Sequence, residues 1–461
     1  MHFIVHMKNP SNLLRGIKRK VHEGAEEFFR MEVSGSIVLL VVTVLAMVLA
    51  NSALGTDFAH FWNIESGITF GDFTFHQSVL HWIDDGLMVL FFFVVGLEIK
   101  REVLAGELST VRKAALPILA ALGGMLVPAA IYTMFNYGGA GAHGWGVPMA
   151  TDIAFALGVL MLLGKRVPAG LKVFLSALAI ADDLGAVLVI AIFYTSQIQW
   201  IWLLWGAAFL VLLISFNMLH VESPIPYVFA GIAVWFCFLN SGIHPTIAGV
   251  LVAFTIPAKA RMKPMVFVEW ARGKINHIEA IDVPGQHVLE TPDQQVCAQE
   301  IQTQARWIQA PLQRVEHSIL PVTTFIILPL FALANAGVRL VGLDVLSLIL
   351  KPITLGVFFG LVVGKQVGIT LATWLAVKSG IAVLPAGVNW GHVYGASWLG
   401  GIGFTMSMFT SGLALRSGVM QEEAKLAILM TSLVAGIGGY FVLRLVESRT
   451  QARVTAEGDA Q

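Results

Sequence analysis

Asp182 and Asp183 stand side by side in LKVFLSALAIADDLGAVLVIAIFY, residues 171–194, a stretch otherwise apolar and long enough to cross a bilayer as one helix. Asp182 falls at its midpoint, too deep for the carboxylate to reach the headgroups, and charge at that depth is costly. Two adjacent acids there call for a compensating cation or proton. A pair of this kind titrates as one unit, so protons and a small hard cation such as sodium compete for the same oxygens. If the site faces the two sides in turn, it exchanges one ion for the other.

Lys365 is placed in the same way, at the centre of ITLGVFFGLVVGKQVGITLATWLAV, residues 353–377. An ammonium at that depth needs a counter-charge, and the acids at the same depth are Asp182, Asp183 and Asp152. Asp152 follows Thr151 in WGVPMATDIAFALGVLMLL, residues 145–163, where Pro148 and its small neighbours suggest a span that is not one continuous helix. A late span, residues 389–416, has a similar texture. There Gly400, Gly401 and Gly403 crowd the centre just before Phe404 and Thr405. Such glycines serve either close packing or a break; two broken spans would bring half-helix ends to mid-depth, N-termini suiting the carboxylate of Asp152 and C-termini the cation of Lys365.

These residues need a frame of membrane helices, and composition supplies it: 56% of the 461 residues are hydrophobic and 13% charged. Apolar runs give twelve candidate spans, near 33–52, 79–99, 114–135, 145–163, 171–195, 199–217, 225–239, 244–257, 318–337, 352–377, 391–415 and 426–446. The runs at 225–239 and 244–257 are short. With the N-terminus inside, cytoplasmic segments hold 24 of the 29 Lys and Arg residues, a strong positive-inside bias that places both termini in the cytoplasm. The basic stretch before residue 33 leads into an apolar run too long for a cleaved signal.

The chain thus divides into a basic cytoplasmic segment (1–32), eight spans (33–257), a polar cytoplasmic insertion (258–315), four spans (316–446) and a cytoplasmic tail (447–461). In the first outer loop, residues 68–75 alternate about Gly71 and Asp72, which predicts a two-residue hairpin whose edge could pair with a second copy. The insertion reads as a tethered loop with one helical piece near 299–313. Cys237 and Cys297 suggest neither a disulfide framework nor a thiolate metal site, and no cofactor or nucleic acid is expected.

The strings GLEIKRE (96–102), ATDIAFALG (150–158), LAIADDLGA (178–186), SGIHPTIAGV (241–250), LPLFALANAGV (328–338), GKQVGI (364–369) and GIGFTMSMF (401–409) resemble, in order, the NhaA-type sodium/proton antiporters of bacterial inner membranes. The resemblance implies an all-α polytopic fold of twelve transmembrane helices with inverted-topology repeats, two broken crossing helices, a small extracellular β-hairpin and a homodimer. It gives Asp182 and Asp183 the role of sodium and proton site, with Asp152 and Thr151 beside them and Lys365 as the neighbouring cation. Gly401, Gly403, Phe404 and Thr405 correspond to the second broken helix. Glu98, Arg101, Glu102, Glu316, His317 and His244 correspond to positions linked to pH response.

Plainer roles stay open for that last group. Glu98, Arg101 and Glu102 also suit the wet end of a helix with i,i+4 pairing, and His244 a first-turn residue facing water. The stretch 263–308 looks like an insertion relative to shorter members, and Ile319 and Leu320 stand where some members carry a second histidine, which leaves the pH threshold unset. The expected activity is exit of sodium or lithium against entry of protons, with net charge movement, in the service of sodium and pH homeostasis. An ion- or proton-coupled symporter of an organic solute is the alternative. A channel accounts poorly for a buried lysine beside broken helices, and an intramembrane aspartyl protease lacks its GxGD string here.

Overall fold

A computed structural model describes residues 33–70, 73–195, 197–281, 292–340, 345–415 and 417–458. The basic segment 1–32, the hairpin turn Gly71–Asp72, residues 282–291 of the insertion, Arg416 and the last three residues of the tail lie outside the described residues. The chain is mostly helical. Apart from the short helices Gly55–Trp62 and Val345–Ile349, the helices in order are α1 (Val33–Ala50), α2 (Val79–Ala105), α3 (Val111–Asn136), α4 (Ala142–Leu162), α5 (Ala169–Phe193), α6 (Trp200–Met218), α7 (Pro224–Ser241) and α8 (Thr246–Thr255). Then follow α9 (Pro264–Ala280), α10 (Pro292–Arg306), α11 (Pro311–Asn335), α12 (Pro352–Lys378), α13 (Trp390–Leu399), α14 (Phe404–Ala414) and α15 (Gly418–Gly458).

Among the described residues ten helices are long and apolar enough to cross a bilayer. Helices are what lipid permits, because every backbone N–H and C=O must find its partner inside the segment. Two expected spans take another form: 244–257 holds the ten-residue α8, and 391–415 is divided into α13 and α14 by Gly400–Gly403. α4 is divided too. Its first part is a 3₁₀ segment, Ala142–Met149, followed by non-helical Ala150–Asp152 and the helix Ile153–Leu162.

α5 lies largely buried in the middle of the bundle, whereas α6 is apolar and mostly exposed, as a lipid-facing helix must be. α3 and α12 touch through their backbones: a Cβ added at Gly368 would come 2.1 Å from the Gly123 carbonyl oxygen, and one at Gly123 would come 2.3 Å from that of Gly368. Small residues let two helices approach this closely in lipid. The contact fixes the level of Lys365, whose stem passes Gly124. Immediately before it, Gly360–Gly364 forms a π-helical turn, which rotates the lysine relative to the first half of α12.

Strands β1 (Glu65–Phe70) and β2 (Phe73–Ser78) pair antiparallel from Glu65↔Ser78 to Phe70↔Phe73, which leaves two residues for the turn. The hairpin is longer than the 68–75 expected from alternation. The insertion differs more. Instead of one helical piece near 299–313 it holds α9 and α10, joined by an ion pair of Lys274 with Glu300 at 2.5 Å; just before α9 and just after α10, Arg261 lies over the Trp307 ring at 4.2 Å. Each helix begins with proline at its first position, after Lys263 and Thr291. The boundary at 315/316 falls inside α11, and that at 446/447 inside α15.

Candidate ion site

Asp152 sits where two helices begin. As the residue before Ile153, it accepts the Phe155 amide on Oδ1 at 3.1 Å, an ordinary N-cap. Its other oxygen, Oδ2, accepts the Thr405 amide at 3.0 Å and the Thr405 hydroxyl, at the start of α14. The Asp152 amide in turn donates to the Ile402 carbonyl at 2.7 Å. One buried carboxylate therefore closes the N-termini of both half-helices, whose dipoles favour negative charge there. The two interruptions expected from glycine, proline and threonine are thus in contact, and Phe155 packs edge-on against Phe404 with ring centroids 5.0 Å apart.

The cation pairs elsewhere. Lys365 Nζ lies 2.7 Å from Asp182 Oδ2 and 2.9 Å from Thr151 Oγ1, and both ends of the ion pair have zero side-chain exposure. The sequence grouped Lys365 with Asp152 as a compensating ion pair and offered Asp182 as its partner in the ion-free state. The pairing with Asp152 is corrected, since the contact is with Asp182 and Asp152 is held by helix N-termini instead. Thr151 links the two halves: it receives from Lys365 and donates to the Gly400 carbonyl at 2.8 Å, at the C-terminal end of α13.

Asp183, one residue on, turns about 100° away around α5. It is buried, its Oδ1 has no hydrogen-bond partner, and the same is true of Asp182 Oδ1. Glu98 lies on α2. Buried carboxylate oxygens without donors are costly to keep, and they are what a hard cation or a proton would occupy. Thr151 Oγ1 adds a third oxygen near Asp182, and donors that are all oxygen are of the type that suits sodium; the carbonyls of Gly400 and Ile402 are already engaged, by the Thr151 hydroxyl and the Asp152 amide.

Arg101, Glu102, Glu316, His317 and His244, for which the resemblance implied a pH response, lie in two places. Arg101 pairs with buried Glu316 and lies 3.5 Å from Glu102, whose Oε2 accepts the Glu107 amide at 2.9 Å; His317 is exposed nearby on α11. Lys100 crosses to α8 and donates to the Phe254 carbonyl at 2.7 Å and to that of Ile256, at the helix C-terminus. His244 lies before the N-terminus of α8, a helix length of about 15 Å away. There its Nε2 is 3.3 Å from Asp85 Oδ1 and its Nδ1 2.8 Å from the Thr246 hydroxyl.

Sequence reasoning passed over Asp84 and Asp85, in the π-helical turn Trp82–Leu87 at the head of α2. Asn335 donates to Asp84 at 3.0 Å, and Lys425 donates to Asn335 at 3.2 Å. Adjacent acids in an apolar run were the signal that marked Asp182, and it applied here as well.

A bundle of apolar helices with a sealed ion pair where two interrupted helices meet defines a multi-pass membrane protein built around charge. Residues 26–443 match the family model described as Na+/H+ antiporter 1. The Na(+)/H(+) antiporter NhaA of Oleidesulfovibrio alaskensis is 50% identical over 419 residues, 91% of this chain and 93% of that protein. That of Acidithiobacillus ferrooxidans is 48% identical over 433 residues, covering 94% and 99%, and NhaA 1 of Saccharophagus degradans 46% over 442 residues, covering 96% and 95%. The chain belongs to the Na+/H+ antiporter 1 family, whose named members are transporters and not enzymes.

Proposed function

We propose that this protein exchanges cytoplasmic sodium, or lithium, for external protons at the Asp182–Asp183 pair. The observation that carries this is the sealed contact of Lys365 with Asp182 Oδ2, next to two buried carboxylate oxygens that have no donor. In the ion-free state the ammonium compensates Asp182. Sodium entering from the cytoplasm takes oxygens from Asp183, Asp182 and Thr151, and Lys365 is released. Movement of the site to the outer face, followed by protonation of the carboxylates, expels sodium and restores the lysine contact on return. Proton entry down its gradient drives sodium exit. The exchange moves net charge, a reading that rests on family membership.

The wider frame belongs to the same proposal. Twelve membrane segments are counted by adding α8 and the α13–α14 pair to the ten long helices, and the interrupted α4 and α13–α14 are equivalent parts of two inverted repeats. The lysine and arginine distribution supports a bacterial inner-membrane orientation with both termini in the cytoplasm. The Arg101–Glu316 and His244–Asp85 contacts support regulation by pH. A homodimer forms through the β1–β2 edge; removing residues 68–75 gives a monomer by light scattering, and a protein that stays dimeric would refute the edge contact.

The experiment is a sodium pulse to energised everted vesicles loaded with a pH-sensitive dye, repeated across pH. Sodium-induced dequenching that depends on pH is expected. No dequenching at any pH, or dequenching that requires an organic solute, would overturn the proposal.

A further inference from the structure

A second buried pair lies outside the ion site. His392 Nε2 is 2.8 Å from Glu447 Oε1, between α13 and α15, and both side chains are almost wholly enclosed. Its other nitrogen is also used: Nδ1 accepts the Asn389 amide at 3.1 Å, while Asn389 Oδ1 accepts the His392 amide at 3.0 Å. This reciprocal box caps the start of α13. Because Nδ1 is an acceptor, the imidazole proton lies on Nε2 and is donated to the Glu447 carboxylate. Both ring nitrogens thus tie α13 down, one to its own first turn and one to the last helix.

The far end of the same helix reaches the ion site. α13 has ten residues, about 15 Å, too short to bend appreciably, and at its end Gly400 offers the carbonyl that takes the Thr151 hydroxyl. The contacts run in series: Glu447 to His392, along α13 to Gly400, then Thr151, Lys365 and Asp182. Gly395 lets α13 seat closely on α15, since a Cβ there would come 2.3 Å from Leu443. That packing sets how near the helices lie. An apolar contact resists sliding along the axis weakly, whereas a directional hydrogen bond resists it.

We propose that His392 and Glu447 are positioning residues for ion binding: their bond fixes α13 along its axis and so holds the Gly400 carbonyl where it orients Thr151 toward Lys365 and the bound ion. The inference rests on the reading of Asp182, Asp183 and Thr151 as the sodium site. Losing the bond loosens a ligand of the bound ion without removing a carboxylate. Such a change weakens binding and leaves the maximal rate, which appears as a raised KM with kcat kept.

The test measures sodium KM and maximal rate in everted vesicles, normalised to folded protein, for the wild type, Glu447→Ala, Glu447→Gln, His392→Asn and Leu443→Ala. Glu447→Ala is expected to raise KM at least about threefold with the maximal rate within about twofold. Glu447→Gln, whose amide oxygen still accepts from Nε2, stays near the wild type. His392→Asn keeps an acceptor for the cap and loses the Glu447 bond, so it matches Glu447→Ala, and the double variant is no worse than either. Leu443→Ala lowers the melting temperature and leaves KM alone.

An unchanged KM in Glu447→Ala would overturn the proposal, as would an equal rise in Glu447→Gln and Leu443→Ala. So would loss of folded protein in both Glu447→Ala and His392→Asn while Leu443→Ala folds, which assigns the pair to folding alone. Absence of sodium-dependent proton movement in the wild type would instead strike the functional reading beneath it.

Discussion

Lys365 Nζ and Asp182 Oδ2 lie 2.7 Å apart with neither side chain open to solvent, on helices separated by 183 positions in the chain. In that setting the pair is a commitment: each charge is tolerable only because the other is present.

Lys365→Ala therefore leaves a carboxylate buried without its cation. Removing one partner of a buried pair typically costs about 3–5 kcal/mol. The variant is expected to melt at a lower temperature in detergent and to transport sodium with an altered pH dependence, read by thermal denaturation and by dequenching. Wild-type melting together with wild-type transport would count against the pair's role.

Asp152 carries a different load, since it caps two helix starts and contacts no cation within 4.0 Å among the described residues. Asp152→Ala removes both caps, about 1 kcal/mol each and so about 2 kcal/mol together. Asn is as good a cap as Asp for one helix but has a single acceptor oxygen, its NH2 facing the other N–H donor, so Asp152→Asn is expected to recover at most about half of that loss in a melting experiment. If Asn and Ala destabilise equally, capping is not what holds Asp152 in place.

Outside the membrane, the hydrogen bond to Glu300 raises Lys274 above the ordinary lysine value. For a cation held this way, the contribution to α9–α10 association is complete below the ordinary value of about 10.4 and is lost as pH rises through the raised one. Limited proteolysis within residues 264–306 is expected to be constant from about pH 6 to 9, well under that range. A step in cleavage near neutral pH would show that another group governs the helix pair.

Much of this frame was legible in the sequence, and what was hidden has a common cause. Depth in the membrane can be read from position within an apolar run, which is how Asp182, Lys365 and Asp152 were singled out and how the interruptions near Pro148 and Gly400–Gly403 were placed. Direction around a helix axis cannot be read that way. Lys365 had three acids at its level, and the choice of Asp182 follows from the α3–α12 glycine contact and the π-helical turn before it. His392 and Glu447 are 55 residues apart, and each alone reads as the polar end of a span. The helices α9 and α10 were hidden because the surrounding stretch reads as polar and α10 itself is mostly polar, while the contacts that join them, an ion pair and a cation over a ring beside the helix ends, leave no periodic pattern.

The central claim is that Asp183 and Asp182 exchange sodium and protons within the membrane. Asp183→Asn keeps the size of the side chain and removes its charge, so the protein should fold and insert while losing sodium-induced dequenching in everted vesicles by at least about tenfold at every pH, a barrier or affinity change of about 1.4 kcal/mol or more. Dequenching at the wild-type rate in that variant would contradict the assignment of the site.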